Sequence, residues 1–301
     1  MDFERFKEWA KEEIASRISL DLEEDDLVLE NVSKIGRSYT GLTVRTKDTI
    51  MSPTVDLDAF YDMYSGGVNA DTIARLMTRM IEDHMPDKDI DMEWLSDYES
   101  VRSKLIVCLS NAESNSALLK DVPHIIIEDL ALTCHIIYEL PGEGKVGAVV
   151  SNHMLEDYGV DREELFADAF DSSMKLLPLQ LGYVRDMVEG GETCGDDNPF
   201  SKLLMVSNDK GFRGAACLFY PGTAEKIACE MGGSFYVLPS SIHEVLVIPA
   251  SPPSDVEDLE LMVMEANLLH VPPEERLSDN VYLYDVSSGK FMRAGAGNTS
   301  H

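Results

Sequence analysis

Apolar residues recur at three- and four-residue steps in five stretches of the chain, and this spacing predicts helices. The stretches are residues 3–18, 73–81, 165–177, 224–231 and 259–269. Side chains at these steps lie on one face of a helix, where they can pack on a core. Asn69 or Asp71 is the expected N-cap of the second helix, and capping-box patterns at Asp161 and Ser254 are expected to open the third and fifth. The expected core-facing residues of the fifth helix are Leu259, Met262, Val263, Ala266 and Leu269.

Short apolar runs between turn-forming residues predict strands. Three of them, at residues 27–32, 41–45 and 52–57, are expected to form a small meander. Those that follow are residues 105–109, 125–127, 132–140, 146–150, 203–206, 215–220, 235–238, 245–248, 281–284 and 290–293. The runs 203–206 and 215–220 are expected to pair, and residues 240–244 are expected at a turn or strand end.

The order of these elements predicts an α+β fold. A helix, the three-strand meander and a second helix would form an N-terminal lobe over residues 1–90. Residues 98–293 would form a larger domain, with helices packed on a mixed, mainly antiparallel sheet. The boundary is expected within residues 87–97, because they are polar and separate two patterned regions. Residues 294–301 are expected to form a disordered tail.

The charge of the chain narrows the choice of partners. Its 301 residues include 55 Asp and Glu against 25 Lys and Arg, a net charge of −30. Nucleic-acid binding relies on cations that displace counterions from phosphates, so direct binding to nucleic acid or an anionic membrane is not expected. No apolar run reaches the roughly 20 residues of a membrane span. The acidic amphipathic start lacks the pattern of a secretory signal, which favours a cytoplasmic location.

The five cysteines are odd in number and form no CxxC pair, so we expect free thiols rather than a disulfide framework or a metal site. Cys194 lies in a glycine-rich acidic loop at residues 189–198 and is expected to be the most reactive. The other four lie in apolar or helical patterns and are expected to be protected; they are Cys108, Cys134, Cys217 and Cys229. No cofactor is indicated, and the ligand spacing of a calcium loop is absent from residues 189–198.

Residues 202–250 carry the densest signals for a site. Ser241, His243 and Glu244 include the residue types of a nucleophile and a base, which makes a hydrolase one hypothesis. Neighbouring residues of an extended chain point to opposite faces, however, so a turn whose polar groups bind the local backbone is the favoured interpretation. The HExxH pattern of zinc proteases fails at Val247.

Five residues of this stretch are expected to converge at one end of the sheet, where binding clefts often form. They are Asn208, Arg213, Tyr220, Ser240 and His243. The sequence contains no recognised catalytic or cofactor motif. We therefore expect a non-enzymatic binding or regulatory protein that holds a protein or peptide partner. A hydrolase centred on Ser241, His243 and Glu244 and an acidic nucleic-acid mimic that acts as an inhibitor are the two alternatives.

Five segments carry a resemblance to a known family. They are SPTVDL at 52–57 with Tyr61 and Tyr64, LKDVPH at 119–124, GAACLFYPG at 214–222, LPSSIHEV at 238–245 and LSDNVY at 277–282. Together they resemble an uncharacterised domain-of-unknown-function family of anaerobic gut bacteria, and the layout is more distantly similar to YtpQ-like proteins. The resemblance implies a cytoplasmic bacterial protein of a kind carried on mobile elements. It implies no catalytic residue.

Overall fold

A computed structural model describes residues 1–19, 26–34, 36–45, 52–85, 93–140, 144–187, 202–251 and 255–295, and the structural statements below concern these residues. The chain divides into two compact units, Met1–Glu93 and Trp94–His301. Helices accompany three sheets whose described strand pairs are all antiparallel. The predicted α+β class is confirmed. That each unit folds by itself stays a prediction.

The first unit is built from three helices and a three-stranded sheet of order β1-β2-β3. Its elements are α1 (Phe3–Arg17), β1 (Leu27–Lys34), β2 (Arg37–Val44), β3 (Thr54–Asp56), α2 (Leu57–Ser65) and α3 (Ala70–Asp83). Phe6 and Ile14 of α1, Leu42 of β2 and Met77 of α3 are fully buried in one core. The predicted meander is therefore confirmed, and its sheet carries helices that bury their apolar stripes.

Helix α2 was not predicted from the sequence. Residues 52–57 were expected to be a strand, but the strand ends at Asp56 and the helix begins at Leu57. The carboxylate of Asp56 accepts a hydrogen bond from the backbone N–H of Ala59 at 3.0 Å and so caps the new helix. Leu57 and Phe60, three residues apart, are buried on its inner face. The cap and this spacing together override the strand-like composition.

The second unit begins with a four-stranded sheet. Its elements are α4 (Tyr98–Arg102), β4 (Leu105–Asn111), β5 (His124–Ile127), β6 (Leu130–Leu140), β7 (Gly144–Val149), α5 (Asn152–Tyr158) and α6 (Arg162–Leu176). The long strand β6 pairs with β4 on one side, and with β5 and then β7 on the other. Helix α6 lies beside β4, where Ser173 Oγ accepts a hydrogen bond from the backbone N–H of Val107 at 2.8 Å.

A six-stranded sheet of order β13-β12-β10-β11-β9-β8 completes the second unit. Its elements are β8 (Leu179–Tyr183), α7 (Val184–Met187), β9 (Leu204–Asn208), α8 (Thr223–Met231), β10 (Phe235–Ser241), β11 (Glu244–Pro249), α9 (Val256–His270), β12 (Tyr282–Asp285) and β13 (Lys290–Arg293). Phe235 and Val237 face the core shared with the four-stranded sheet, whereas Tyr236 and Leu238 face α9. Alternate residues of β10 are thus covered on both faces of the sheet.

The predicted strand at residues 215–220 is wrong. Gly214–Phe219 is a 3-10 helix, so β9 pairs instead with β8, which the sequence analysis missed. Five consecutive residues, beginning at Gly214, are buried there. Because all five of these residues are buried, the sequence shows no alternation of apolar and polar positions, and a strand cannot be distinguished from a helix by its period. The small side chains of Ala215 and Ala216 let this turn pack between β4, β9 and β11.

The predicted helix starts are largely confirmed. Asn69 caps α3 by accepting from the backbone N–H of Asp71, and Asp161 caps α6 by accepting from that of Glu164. The expected cap of the last helix is wrong, because Asp255 occupies the N-cap position of α9 and Ser254 lies outside the described residues.

The turn between β5 and β6 is tied to a segment far along the chain. The carboxylate of Asp129 accepts hydrogen bonds from Ser278 Oγ at 2.7 Å, Asn280 Nδ2 at 2.9 Å and Tyr282 Oη at 2.5 Å. Partial burial opposes ionisation, but the three donors outweigh it and hold the pKa of Asp129 below its ordinary value. This carboxylate, which we call the Asp129 clasp, joins the two sheets of the second unit.

Several sequence predictions fall on residues that the structure does not describe. The loop 189–198 with Cys194, and residues 296–301 of the expected tail, lie outside the described ranges. Ala294, where that tail was expected to begin, is buried and donates its backbone N–H to Val281. Among the remaining cysteines Cys229 is exposed on α8, so its predicted protection is wrong; Cys108, Cys134 and Cys217 are buried as predicted.

Candidate functional site

The β10–β11 hairpin carries the residues that the sequence singled out. Ser241 and Glu244 form its last pair, and Ile242 and His243 make the two-residue turn. The backbone of Ile242 donates to the carbonyl of Glu275 at 2.9 Å and accepts from Ala215 at 3.3 Å. The turn is therefore held on both sides by the rest of the unit.

The ring of His243 is bound to its surroundings through both nitrogens. Nδ1 lies 3.3 Å from the backbone N–H of Arg213 and 3.2 Å from the carbonyl oxygen of Gly211, and Nε2 lies 3.4 Å from Glu275 Oε1. A neutral ring protonated at Nε2 accepts from Arg213 and donates to Glu275. The carbonyl of His243 also accepts from Ser207 Oγ at 2.8 Å. These contacts are those of a residue that fastens a turn.

Ser241 is not paired with the ring of His243. Its hydroxyl donates to Glu244 Oε1 at 2.8 Å and accepts from the backbone N–H of His243 at 3.1 Å. A hydrolase of the serine and histidine type needs the imidazole within hydrogen-bond reach of the nucleophile. In this structure the three candidate residues are brought together, but in the arrangement of a locally satisfied turn.

Asn208 organises the loop that faces His243. The side chain of Asn208 is buried, donates to the carbonyl of Phe212 at 2.7 Å and accepts from the backbone N–H of Lys210 at 3.0 Å. An asparagine that bonds the backbone two and four residues ahead closes a tight loop. The loop returns the chain so that Arg213 reaches His243.

Arg213 combines a left-handed backbone with an unpaired charge. Its φ is 54°, a conformation that L-residues rarely adopt. Its Nη1 atom is buried and has no hydrogen-bond partner, and no ion pair to Arg213 occurs within the described residues. Burial, and after it the charge of Arg213, lowers the pKa of His135 on β6 to about 3. Such strain and uncompensated charge are characteristic of functional sites.

Four of the five predicted binding residues lie close together, and the fifth lies elsewhere. Asn208, Arg213 and His243 are joined by the contacts above, and Ser240 and His243 line a polar cleft of about 440 Å³ beside Glu275. Tyr220 does not reach this place. It is buried in the core, its hydroxyl lies 3.4 Å from the carbonyl oxygen of Leu177, and burial raises its pKa.

The sequence analysis missed an exposed apolar surface on α9. Leu259 and Val263 are buried as predicted, but Met262 and Leu269 of the predicted core face are exposed, the latter to 62%. Asn267 fixes which face of α9 points inward, because its side chain is buried and donates a hydrogen bond to the carbonyl of Ser278 at 3.0 Å. The signal was in the sequence, since a helix apolar around most of its circumference needs cover on more than one side.

Three exposed residues form a stripe on the side of α9 away from the sheet, and we call them the α9 stripe. Leu261, Met264 and Leu268 are exposed to 63%, 49% and 72%. Steps of three and four residues place them in one line along the helix. Contiguous exposed apolar surface of this kind marks interaction sites in soluble proteins.

Carboxylates border the α9 stripe. At 100° per residue, Glu260 lies along one side of it, Asp258 and Glu265 lie along the other, and Glu257 lies in line with it one turn before Leu261. None of the four forms an ion pair within the part of the chain that the structure describes, and α9 contains no Lys or Arg. The surface is therefore apolar at its centre and negative at its edges.

Comparison with known proteins gives one result. A family of unknown function, DUF5688, matches residues 3–286 of the chain. The chain belongs to DUF5688. No curated protein and no solved structure matches it. The match to DUF5688 assigns no activity.

The described residues of this DUF5688 chain offer neither a metal-binding cluster nor a membrane-spanning helix. Over the described residues, no three His, Cys, Asp or Glu side chains are grouped so that they could hold a metal ion. No helix in the same ranges is both long enough and apolar enough to cross a bilayer.

Proposed function

We propose that this DUF5688 protein is a cytoplasmic binding protein that holds a basic amphipathic helix of a partner protein on the α9 stripe. The observation that carries the proposal is the exposure of Leu261, Met264 and Leu268 on a helix whose opposite face already packs on the sheet. Helices commonly dock through anchors at such spacing. The proposal specifies the protein or peptide partner expected from the sequence.

Burial of the stripe gives the partner its affinity. Covering a leucine or methionine side chain stabilises by about 1.5–3 kcal/mol relative to leaving it in water. Met262 and Leu269 add exposed apolar surface nearer the sheet, beyond Asp258 and Glu265, and Met262 lines a groove of about 110 Å³ between α9 and β10. Methionine adapts its shape to different neighbours, so the surface can accept an imperfectly matched helix.

Charge decides which helix fits. The four carboxylates around the stripe have no described basic partner, and the whole chain carries a net charge of −30. A second copy would bring a similar set of carboxylates against them, which costs free energy through like-charge repulsion. A helix with lysines or arginines beside its apolar face would pair with them instead.

The alternatives from the sequence have less support. A hydrolase requires His243 to act on Ser241, whereas that hydroxyl donates to Glu244. A nucleic-acid mimic would present carboxylates in rows, whereas those of α9 border an apolar stripe. Neither alternative accounts for the exposure of Leu268.

The test uses a fluorescein-labelled peptide of leucines and lysines whose sequence makes an amphipathic helix. The control is a labelled peptide of the same composition in scrambled order, which has no apolar face. We expect fluorescence anisotropy to show binding of the amphipathic peptide only. Leu261→Ser and Leu268→Ser should each weaken it by about tenfold, from the apolar area lost. Val286→Ser, at an exposed residue in the β12–β13 turn, is the matched control and should bind as the wild type does.

Two outcomes would contradict the proposal. Equal binding of both peptides would mean that charge alone attracts them. A dimer in sedimentation measurements that Leu268→Ser dissociates would mean that a second copy, and not a basic helix, covers α9.

A further inference from the structure

The second unit contains an open cleft of about 810 Å³ that the proposed function does not use. Its walls come from the start of the unit, from β6, from the end of α6 and from the loop after β9. Trp94, Tyr138 and Phe212 contribute aromatic rings to it, and Ile137 contributes an aliphatic side chain. Mainly apolar clefts of about 300–1,000 Å³ are typical sites for small molecules.

The aromatic wall is held in a defined arrangement. The rings of Trp94 and Tyr138 meet edge to face, with centroids 5.7 Å apart. The ammonium group of Lys104 lies 4.5 Å from the centre of the Trp94 ring and donates to the carbonyl of Ser100 at 2.7 Å. These contacts fix the wall without filling the cleft, so a ligand meets preformed surface.

The charge of the cleft is opposite to that of the protein. Lys104 and Lys210 line it, and no carboxylate does so among the described lining residues. Lys104 has no described acidic partner, and Lys210 pairs only with its neighbour Asp209 at 3.1 Å, where both are about half exposed. Pairs of that kind contribute little. Two lysines thus line the same cleft in a chain with a net charge of −30.

A third cation lies behind Phe212. The guanidinium carbon of Arg213 is 5.9 Å from the Phe212 ring, and its buried Nη1 has no hydrogen-bond partner. Arg213 as a whole is half-buried, and no ion pair to it occurs within the described residues, so its charge is not neutralised there. It adds to the positive potential at this wall.

We propose that this cleft binds a small molecule with an apolar or aromatic body and a carboxylate group. The body would lie against Trp94, Tyr138 and Phe212, and the carboxylate would face the ammonium groups of Lys104 and Lys210. This site is independent of the α9 stripe, because the two share no residue.

The test is calorimetric titration of the full chain with phenylbutyrate and with its neutral amide. We expect the carboxylate to bind at least about tenfold more tightly than the amide, because only the carboxylate pairs with the lysines. Lys104→Met and Lys210→Met should each remove most of that difference. Lys226→Met, at an exposed lysine of α8, should leave it unchanged. Circular dichroism checks that Lys104→Met is folded. Lys210→Met provides an independent test, because Lys210 is exposed and its replacement should not affect folding.

Each remaining outcome decides the question. Equal affinity for phenylbutyrate and its amide, or equal loss in Lys226→Met, would overturn the proposal. A second probe is an N-acetylated tripeptide composed of leucine and phenylalanine, with a free carboxyl end. If it binds more tightly than phenylbutyrate, the cleft is a site for a peptide terminus instead. Leu268→Ser should bind phenylbutyrate normally, so failure of the α9 proposal leaves this result untouched.

Discussion

The backbone N–H of Arg213 donates to Nδ1 of His243 across 3.3 Å, and this bond closes the loop after β9 onto the turn of the β10–β11 hairpin. Two residues that are thirty positions apart are thereby held in one local structure. On this basis we expect His243 to act as a structural residue, so its loss should lower the stability of the fold.

We predict that His243→Ala lowers the free energy of unfolding by about 1–3 kcal/mol, because Arg213 and Glu275 lose their partner. A denaturant melt measures the change. His153→Ala is the control, since His153 is exposed on α5 and should melt as the wild type does. An unchanged midpoint, together with esterase or peptidase turnover that only the wild type shows, would favour the hydrolase instead.

Gly214→Ala should destabilise the protein strongly. A Cβ atom at this position would lie 2.5 Å from the carbonyl oxygen of His243 and 2.8 Å from the backbone nitrogen of Asn208. Backbone atoms cannot yield cheaply, so we expect a loss of about 1–3 kcal/mol or more. Gly147→Ala is the matched variant, because its nearest neighbour would be 3.7 Å away. If Gly214→Ala and Gly147→Ala unfold at the same denaturant concentration, the backbone around Gly214 is less closely packed than these distances indicate.

The thiols should react in an order set by burial. Burial raises the pKa of Cys108 to about 12 and of Cys217 to about 11, and it leaves both without access. In the native protein we expect alkylation at exposed Cys229 and, as the sequence predicts, fastest at Cys194. Mass mapping of a timed reaction identifies the sites. Early labelling of Cys108 or Cys217 would contradict the order.

Limited proteolysis should separate the two compact units. The sequence places a polar boundary within residues 87–97, and contact density divides the chain between Glu93 and Trp94. We expect early cleavage in that interval, giving two fragments that each resist further digestion. Cleavage confined to residues 189–198 would instead indicate one cooperative domain.

The Asp129 clasp should make stability depend on acid. Its carboxyl is more acidic in the folded than in the unfolded chain. Its contribution is therefore complete above the unfolded value, about pH 4, and is lost as the pH falls through the folded value. Asp129→Asn should lower stability at neutral pH by about 1–3 kcal/mol and reduce this acid dependence. Urea melts at several pH values measure both effects.

The control for the clasp is Asp285→Asn. Asp285, at the end of β12, also accepts hydrogen bonds from serines, but it is half-buried and its partners are two and three residues away in sequence. We expect a smaller loss than at Asp129. Equal losses would mean that the clasp is no stronger than an ordinary turn.

Much of the fold was predictable where one physical signal dominated. The stripe of Phe6 and Ile14 marked α1, and the side chain of Asn69 marked the start of α3. The 3-10 helix at Gly214–Phe219 was not predictable, because its burial depends on three strands from distant parts of the chain. Helix α2 was predictable in principle from the spacing of Leu57 and Phe60.

The candidate site was only partly predictable. Composition alone indicated the turn at His243, since serines, histidine and proline cluster there. The unpaired charge of Arg213 depends on where its loop folds, and the exposure of Leu268 depends on which side of α9 the sheet covers. Sequence periodicity shows which residues share a helix face, but not which face is left without a neighbour.

The Asp129 clasp also bears on how the chain folds as it is made. Its three bonds join residues 149, 151 and 153 positions apart. During synthesis the four-stranded sheet emerges long before Ser278 and Tyr282 can leave the ribosome. Contacts of such long range form slowly and leave apolar surface open in the meantime. The nascent second unit should therefore depend on chaperones until its last strands arrive.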